Sequence, residues 1–96
     1  MKALKLVTSE IIVGTEMKWE DNEYVVKYPH TLVMNPRGVT FIPADYFMSK
    51  DHTMRIKADA VIGTFEIKDD VITQLKAKVN GLTIKADTNI VLNENK

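Results

Sequence analysis

Few residues of this 96-residue chain are of the types that catalyse reactions or bind metals. His30 and His52 are its only histidines, and it contains no cysteine, so the usual nitrogen and sulfur ligand set of a zinc site is incomplete. Ser9 and Ser49 are its only serines, and neither has the spacing of a nucleophile elbow or a predicted base beside it. We therefore expect no metal site, no catalytic residue and no enzyme activity.

Acidic residues and glycines do not build a cofactor site either. Asp69 and Asp70 are adjacent carboxylates at the predicted start of a helix, where capping and the helix dipole explain them. The glycines at positions 14, 38, 63 and 81 are isolated, so the chain has no glycine-rich phosphate loop and no cofactor is expected.

Thirteen basic and thirteen acidic residues give a net charge of zero, which argues against general attraction to nucleic-acid backbones or acidic membranes.

Aromatic and basic side chains are the remaining candidates for binding. The aromatic residues could stack on nucleic-acid bases, although aromatic residues on strands more often belong to a core or a subunit contact. They are Trp19, Tyr24, Tyr28, Phe41, Tyr46 and Phe47. Arg37 at a predicted turn, and Arg55 with Lys57 on one short strand, form a small basic group that is by default a solvated face. What these residues bind depends on the elements that position them.

Hydrophobic periodicity predicts a chain made mostly of strands. Gly14 lies inside the second alternating segment and predicts a strongly curved sheet. Pro29 interrupts the third segment, where it fits a sheet edge or a bend. Residues 35–38 have the preferences of a type I turn and predict a hairpin. The alternating segments cover residues 2–7, 10–19, 24–34, 39–42, 54–57 and 60–67.

The period changes after the last of these strands. Val71, Leu75 and Val79 lie four apart with Ile72 beside them, which predicts one helix over residues 69–80. Its apolar stripe is expected to cover an open end of the β structure or a neighbouring subunit.

The chain is expected to form one domain, because its length lies near the usual domain size of about 100 to 150 residues. We assign residues 1–81 to this domain and residues 82–96 to a C-terminal extension, either a strand pair or a loose tail. No apolar run approaches the roughly 18 residues of a membrane span, and no signal-peptide pattern opens the chain. Together with the lack of cysteine, this favours a cytoplasmic protein without membrane contact.

Two segments are similar to the paired motifs of the Sm-like family. Residues 4–14 resemble the first Sm motif, a strand, a turn and a second strand with an internal glycine. Residues 54–62 are similar to the second, an apolar strand, a basic and small pair, an acidic residue and a β-branched run. The likeness covers about residues 2 to 81 and is closest to short Sm-like proteins of tailed phages and their marine hosts. It implies a mainly β fold, a small five-stranded bent Sm-like (SH3-like) barrel with one C-terminal α-helix, and a homo-oligomeric ring of about five to seven subunits.

The resemblance also implies a binding site for single-stranded RNA at turns around the central pore. The matching positions here are Asp21, Asn22 and Tyr24 after the second strand, and Lys57 and Asp59 in the second motif. We expect Lys57 to contact phosphate, Tyr24 to stack on a base, and Asp21 with Asn22 to shape the turn and accept from a base edge.

Departures from the family pattern keep an alternative open. RNA-binding members carry a further Asn after the acidic residue of the turn, and here it is missing. Lys57 and Ala58 stand where those members have Arg and Gly. Lys keeps the charge but lacks the planar fork of Arg, and Ala58 removes the glycine that allows close approach. The alternative is a phage-type ring that acts as an adaptor or modulator through contact with a host protein, without binding RNA.

Overall fold

The structure is a computed structural model that describes residues 2–45 and 48–81. In this part of the chain the fold is mainly β, with eight strands in two antiparallel sheets followed by one helix, as the periodicity predicts. The strands are β1 (Lys2–Leu6), β2 (Ile11–Val13), β3 (Glu16–Glu20), β4 (Glu23–Lys27), β5 (His30–Asn35), β6 (Gly38–Pro43), β7 (Thr53–Lys57) and β8 (Val61–Glu66). A short 3-10 helix, Ala58–Ala60, separates β7 from β8, and α1 covers residues 69–81. The extension predicted for residues 82–96 lies outside the described residues.

Both predicted bends are present, and each divides one long predicted strand between the two sheets. The first sheet has the order β6-β5-β2-β1-β8, and the second has the order β3-β4-β7. The segment 10–19 divides at Gly14, where a Cβ atom would overlap the Val26 side chain and the Lys27 carbonyl oxygen. Glycine is required there by this close approach. The segment 24–34 divides at Tyr28, whose φ of 51° is unusual for a residue with a side chain.

The predicted hairpin joins β5 to β6. Asn35 pairs with Gly38 across the turn, and the Asn35 side-chain oxygen accepts a hydrogen bond of 2.9 Å from the Arg37 backbone N–H. Gly38 has a φ of 128°, which a residue with a side chain rarely adopts. The residue types of this turn therefore agree with its backbone geometry.

The central strands of the first sheet, β1 and β2, bury side chains on both faces, because neighbouring apolar residues point in opposite directions. On one face Ala3 and Val13 contact the helix, and on the other Leu4 and Ile12 contact the second sheet. The core beneath the helix is formed by Ala3, Val13, Phe41, Leu75 and Val79, and the core between the sheets by Leu4, Ile12, Val26 and Ile56.

The helix begins where it was predicted. The Ile72 backbone N–H donates to the Lys68 carbonyl oxygen at 3.1 Å, and the Asp70 carboxylate accepts from the Val71 N–H at 2.9 Å. Leu75 and Val79 are buried against the first sheet, and the Lys78 ammonium donates to the Phe41 carbonyl oxygen. The helix therefore covers a sheet face of its own chain. In the described part of the chain, no helix has the length and apolar character needed to cross a membrane.

Candidate functional site

Two turns that are distant in sequence form one surface cleft. The β3–β4 turn and the 3-10 helix after β7 lie side by side, because Glu23 of β4 pairs with Lys57 of β7. The cleft has a volume of about 340 Å³. Four of the five residues predicted to bind RNA line it, namely Asp21, Asn22, Lys57 and Asp59, together with Glu23 and Ala58.

The β3–β4 turn has a backbone that suits its two residue types. Asp21 and Asn22 have φ values of 51° and 65°, and Glu20 pairs with Glu23 directly across the turn. Two consecutive positive φ angles are the property of a type I′ hairpin turn, in which Asp and Asn are favoured. The turn geometry alone therefore explains the acidic and amide residues, and it presents both side chains at the cleft.

The Arg55 guanidinium pairs with acidic residues of the β3–β4 turn beside the cleft. Its Nε donates to the Glu23 carboxylate at 2.9 Å, and its Nη1 and Nη2 lie 3.5 Å and 4.0 Å from carboxylate oxygens of Glu20 and Asp21. The hydrogen bond to Glu23 raises the pKa of the Arg55 guanidinium, and the charges of Glu23 and Glu20 act in the same direction. Sequence reasoning placed Arg55 only on a solvated basic face, because its acidic partners are more than thirty positions away along the chain.

The cleft itself carries more negative than positive charge. Asp21, Glu23 and Asp59 contribute three carboxylates, and Lys57 is the basic residue among those that line it. Such a surface accepts hydrogen bonds from amine, amide or guanidinium groups, and it has one point charge for a phosphate. Base edges and basic side chains therefore fit the cleft better than a phosphate backbone does.

Tyr24, the fifth predicted residue, does not line the cleft. Consecutive residues of a strand point to opposite faces, so Tyr24 lies on the inner face of β4 while its neighbour Glu23 reaches the cleft. The Tyr24 ring packs partly against the core between the sheets and meets the Trp19 ring edge-on, with centroids 4.8 Å apart. Together these rings line a separate groove beside β3.

The two histidines lie at the bend between β4 and β5. His30 is 2% exposed, and its Nδ1 donates to the Tyr28 carbonyl oxygen at 2.8 Å, while its Nε2 has no hydrogen-bond partner among the described residues. Burial lowers the pKa of the His30 imidazole. The His52 ring stacks on Tyr28 at 4.9 Å, and its Nδ1 lies 3.7 Å from the Asp45 carboxylate. Among residues 2–45 and 48–81, no group of three or more His, Asp or Glu side chains could hold a metal ion.

Comparison with known proteins does not assign the chain to a family. The sequence matches no protein-family model, and it is not significantly similar to any curated protein.

Proposed function

We propose that the chain is an Sm-like protein that forms a homo-oligomeric ring and binds single-stranded RNA at the cleft between its two turns. The single observation that carries this proposal is that cleft. It joins Asp21 and Asn22 to Lys57 and Asp59, the same two turns that the resemblance to the Sm-like family implies as the binding site. Repetition of the cleft around a ring would compensate for the few contacts that each copy makes.

The topology supports the barrel part of the proposal. When β2 with β3, β4 with β5, and β6 with β7 are each counted as one bent strand, the eight segments reduce to five. In each of these three pairs the first and second segments belong to different sheets. This is the arrangement expected of a small five-stranded SH3-like barrel with a helix after its last strand.

Exposed sheet edges support the ring part of the proposal. In the described part of the chain β7 and β8 each pair on one side only, and exposed edges tend to pair with another chain. On β8, Ile62 and Phe65 are large apolar side chains left exposed, and so is Ile42 on β6. Head-to-tail contact between the β8 edge of one copy and the β6 and β7 edges of the next would cover these residues in a closed ring.

RNA binding is tested by fluorescence anisotropy with labelled U-rich and A-rich single-stranded oligonucleotides over a range of salt concentrations. We expect the Lys57→Ala substitution to weaken binding to every sequence and to flatten the salt dependence, because each lost phosphate contact removes released counterions. The Lys76→Ala substitution, on the exposed side of the helix, is the matched control and should change neither quantity. Parent protein that binds no oligonucleotide even at low salt would exclude the RNA function.

The acidic character of the cleft supports the second candidate function, a ring that binds a host protein without RNA. The carboxylates of Asp21 and Asp59, together with that of Glu23, which already pairs with Arg55, would accept a basic segment of such a partner. A basic peptide titrated into the ring should then bind, and the Asp59→Lys substitution should weaken this binding. In either case we propose a cytoplasmic ring, on the sequence argument from composition and the lack of cysteine.

A further inference from the structure

The free edge of β3 lies beside a groove of about 450 Å³. In the part of the chain that the structure describes, β3 pairs only with β4, so its other side has no strand beside it. The groove is bounded on the far side by Lys2 and Glu66, at the end of the β1–β8 ladder. It is distinct from the cleft at the two turns, since no residue lines both.

The groove follows the edge of the strand. Five consecutive residues, from Thr15 to Trp19, line it. A groove on a sheet face is lined by alternate residues, because successive side chains point to opposite faces. Lining by both sets of side chains therefore means that the backbone edge of β3 itself borders the groove, with space for another extended segment.

The side chains at this edge determine which side chains a bound segment must have. On the inner face, Met17 packs at the border of the core and Trp19 is 53% exposed, although it is a large apolar residue. On the outer face, the charges of Glu16, Lys18 and Glu20 alternate in sign. Glu16 and Lys18 line the groove, whereas Glu20 lies at its end with its carboxylate 3.5 Å from the Arg55 Nη1. A strand placed against β3 would therefore meet two apolar positions on one face and an acidic, basic, acidic series on the other.

We propose that the β3 edge binds an extended peptide segment of a partner protein by strand addition. The segment has the pattern basic, apolar, acidic, apolar, basic, so that its charges lie opposite Glu20, Lys18 and Glu16 and its apolar side chains cover Trp19 and Met17. This pattern reads the same in both directions, so it fits a parallel or an antiparallel strand. Main-chain hydrogen bonds provide affinity in this mode of recognition, and the alternate side chains provide specificity.

The peptide site and the proposed ring use different strand edges. The ring contacts use the edges of β6, β7 and β8, whereas the peptide pairs with the edge of β3, although Glu66 at the end of β8 borders the groove. Loss of RNA binding or of the ring would therefore leave the β3 proposal standing, and loss of peptide binding would leave the ring proposal standing.

Trp19 is the only tryptophan of the chain and reports directly on the groove. The probe is a capped synthetic peptide with the core Lys-Val-Glu-Val-Lys between glycine and serine flanks, titrated into the parent protein. We expect a saturable blue shift of the tryptophan fluorescence as the peptide covers the indole ring of Trp19. Two control peptides are matched to it. The charge-swapped core Glu-Val-Lys-Val-Glu should bind about tenfold more weakly, and a version with N-methylated backbone amides should not bind.

A charge change at Lys18 tests the register. In the Lys18→Glu variant, we expect a peptide with a central Lys to bind more tightly than the peptide with a central Glu, by about threefold, the reverse of the parent protein. The Lys76→Glu variant carries the same charge change on the helix, far along the chain from β3, and should keep the parent preference. Because both variants alter exposed residues, folding is expected to be unaffected.

Three results would overturn the proposal. The first is a fluorescence that does not respond to the peptide, or that responds equally to the N-methylated peptide. The second is a tryptophan spectrum that shifts on dilution of the protein alone, which would show that a second copy of the chain covers the edge. The third is a shift caused by single-stranded RNA but not by peptide, which would assign Trp19 and Tyr24 to base stacking.

Discussion

The buried imidazole of His30 is the group that we expect to make the stability of this fold depend on pH. It lies under the helix, with its Nδ1 bonded to the Tyr28 carbonyl oxygen and its Nε2 without a partner in the part of the chain that the structure describes. Burial lowers its pKa, and the nearby Lys78 ammonium lowers it further, whereas the bond to Tyr28 and the charge of Asp45 act in the opposite direction. The folded protein therefore favours the neutral ring, while the unfolded chain protonates it near pH 6.5.

The first prediction is a loss of stability in mild acid. Because the pKa of His30 is lower in the folded state, its contribution to the free energy of unfolding is complete above about pH 6.5 and falls as the pH drops below that value, by at most about 1.4 kcal/mol per pH unit. Urea unfolding between pH 5 and pH 8 measures this slope. The His30→Gln variant should flatten it; equal slopes in parent and His30→Gln would contradict the assignment.

The second prediction concerns Gly14. Replacing it by Ala places a methyl group against Val26 and the Lys27 carbonyl oxygen, and overpacking of this kind typically costs about 1 to 3 kcal/mol. Gly63→Ala is the matched control, since a Cβ atom there meets no other atom within 4 Å. Thermal unfolding should show a lower melting temperature for Gly14→Ala alone. Equal melting temperatures for the two variants would show that the bend does not need glycine.

At the scale of elements, strand register and the helix position each other through the first sheet. Ala3 and Val13 pack under the helix, while Leu4 and Ile12, one residue away, pack against the second sheet. A slip of one residue in these strands would exchange the two cores, so both cores specify the same register. Packing of the helix therefore helps to fix the register of the strands beneath it.

The third prediction tests the helix. Leu75 is 0% exposed in the core beneath the helix, so Leu75→Asp should lower the free energy of unfolding by about 3 kcal/mol or more, through lost packing and an unpaired buried charge. The neighbouring Gln74 is exposed, and Gln74→Asp provides the control with the same new charge. Chemical denaturation followed by circular dichroism distinguishes them. A Leu75→Asp protein as stable as the control would mean that the helix does not pack there.

At the scale of the whole molecule, the arrangement leaves different edges for different contacts. The β7 and β8 edges suit assembly, the β3 edge suits a peptide, and the turn cleft lies at the ends of β4 and β7. Assembly also suits a chain of this size, because small domains bury a smaller share of their surface and gain stability from partners.

The fourth prediction is ring assembly. Light scattering should give a mass of about five to seven chains, the range that the resemblance implies, and Ile62→Glu should reduce it, since Ile62 is 63% exposed on the β8 edge. The control, Ala77→Glu, introduces the same charge on the exposed side of the helix and should keep the parent mass. A parent protein that remains monomeric at all concentrations would rule out the ring.

Features that depend on neighbouring residues were determined by the sequence itself. Alternation predicted the strands, the four-residue spacing from Val71 to Val79 predicted the helix, and Gly14 and Pro29 marked the bends. In each case the physical cause acts among residues that are close in sequence, within one or two helical turns or strand pleats. The pattern can therefore be recognised without knowing what packs against the segment.

Features that depend on long-range pairing were decided only by the tertiary structure. The register between β4 and β7 sets Lys57 beside Glu23 and brings Arg55 to the acidic turn. The pairing of β3 with β4 sets Tyr24 opposite Trp19, away from the cleft. No local pattern contains this register, because shifting one strand by a single residue keeps its alternation and exchanges its faces. The free β3 edge has the same origin, since in the described residues the strand edge that stays unpaired depends on the position of all the other strands.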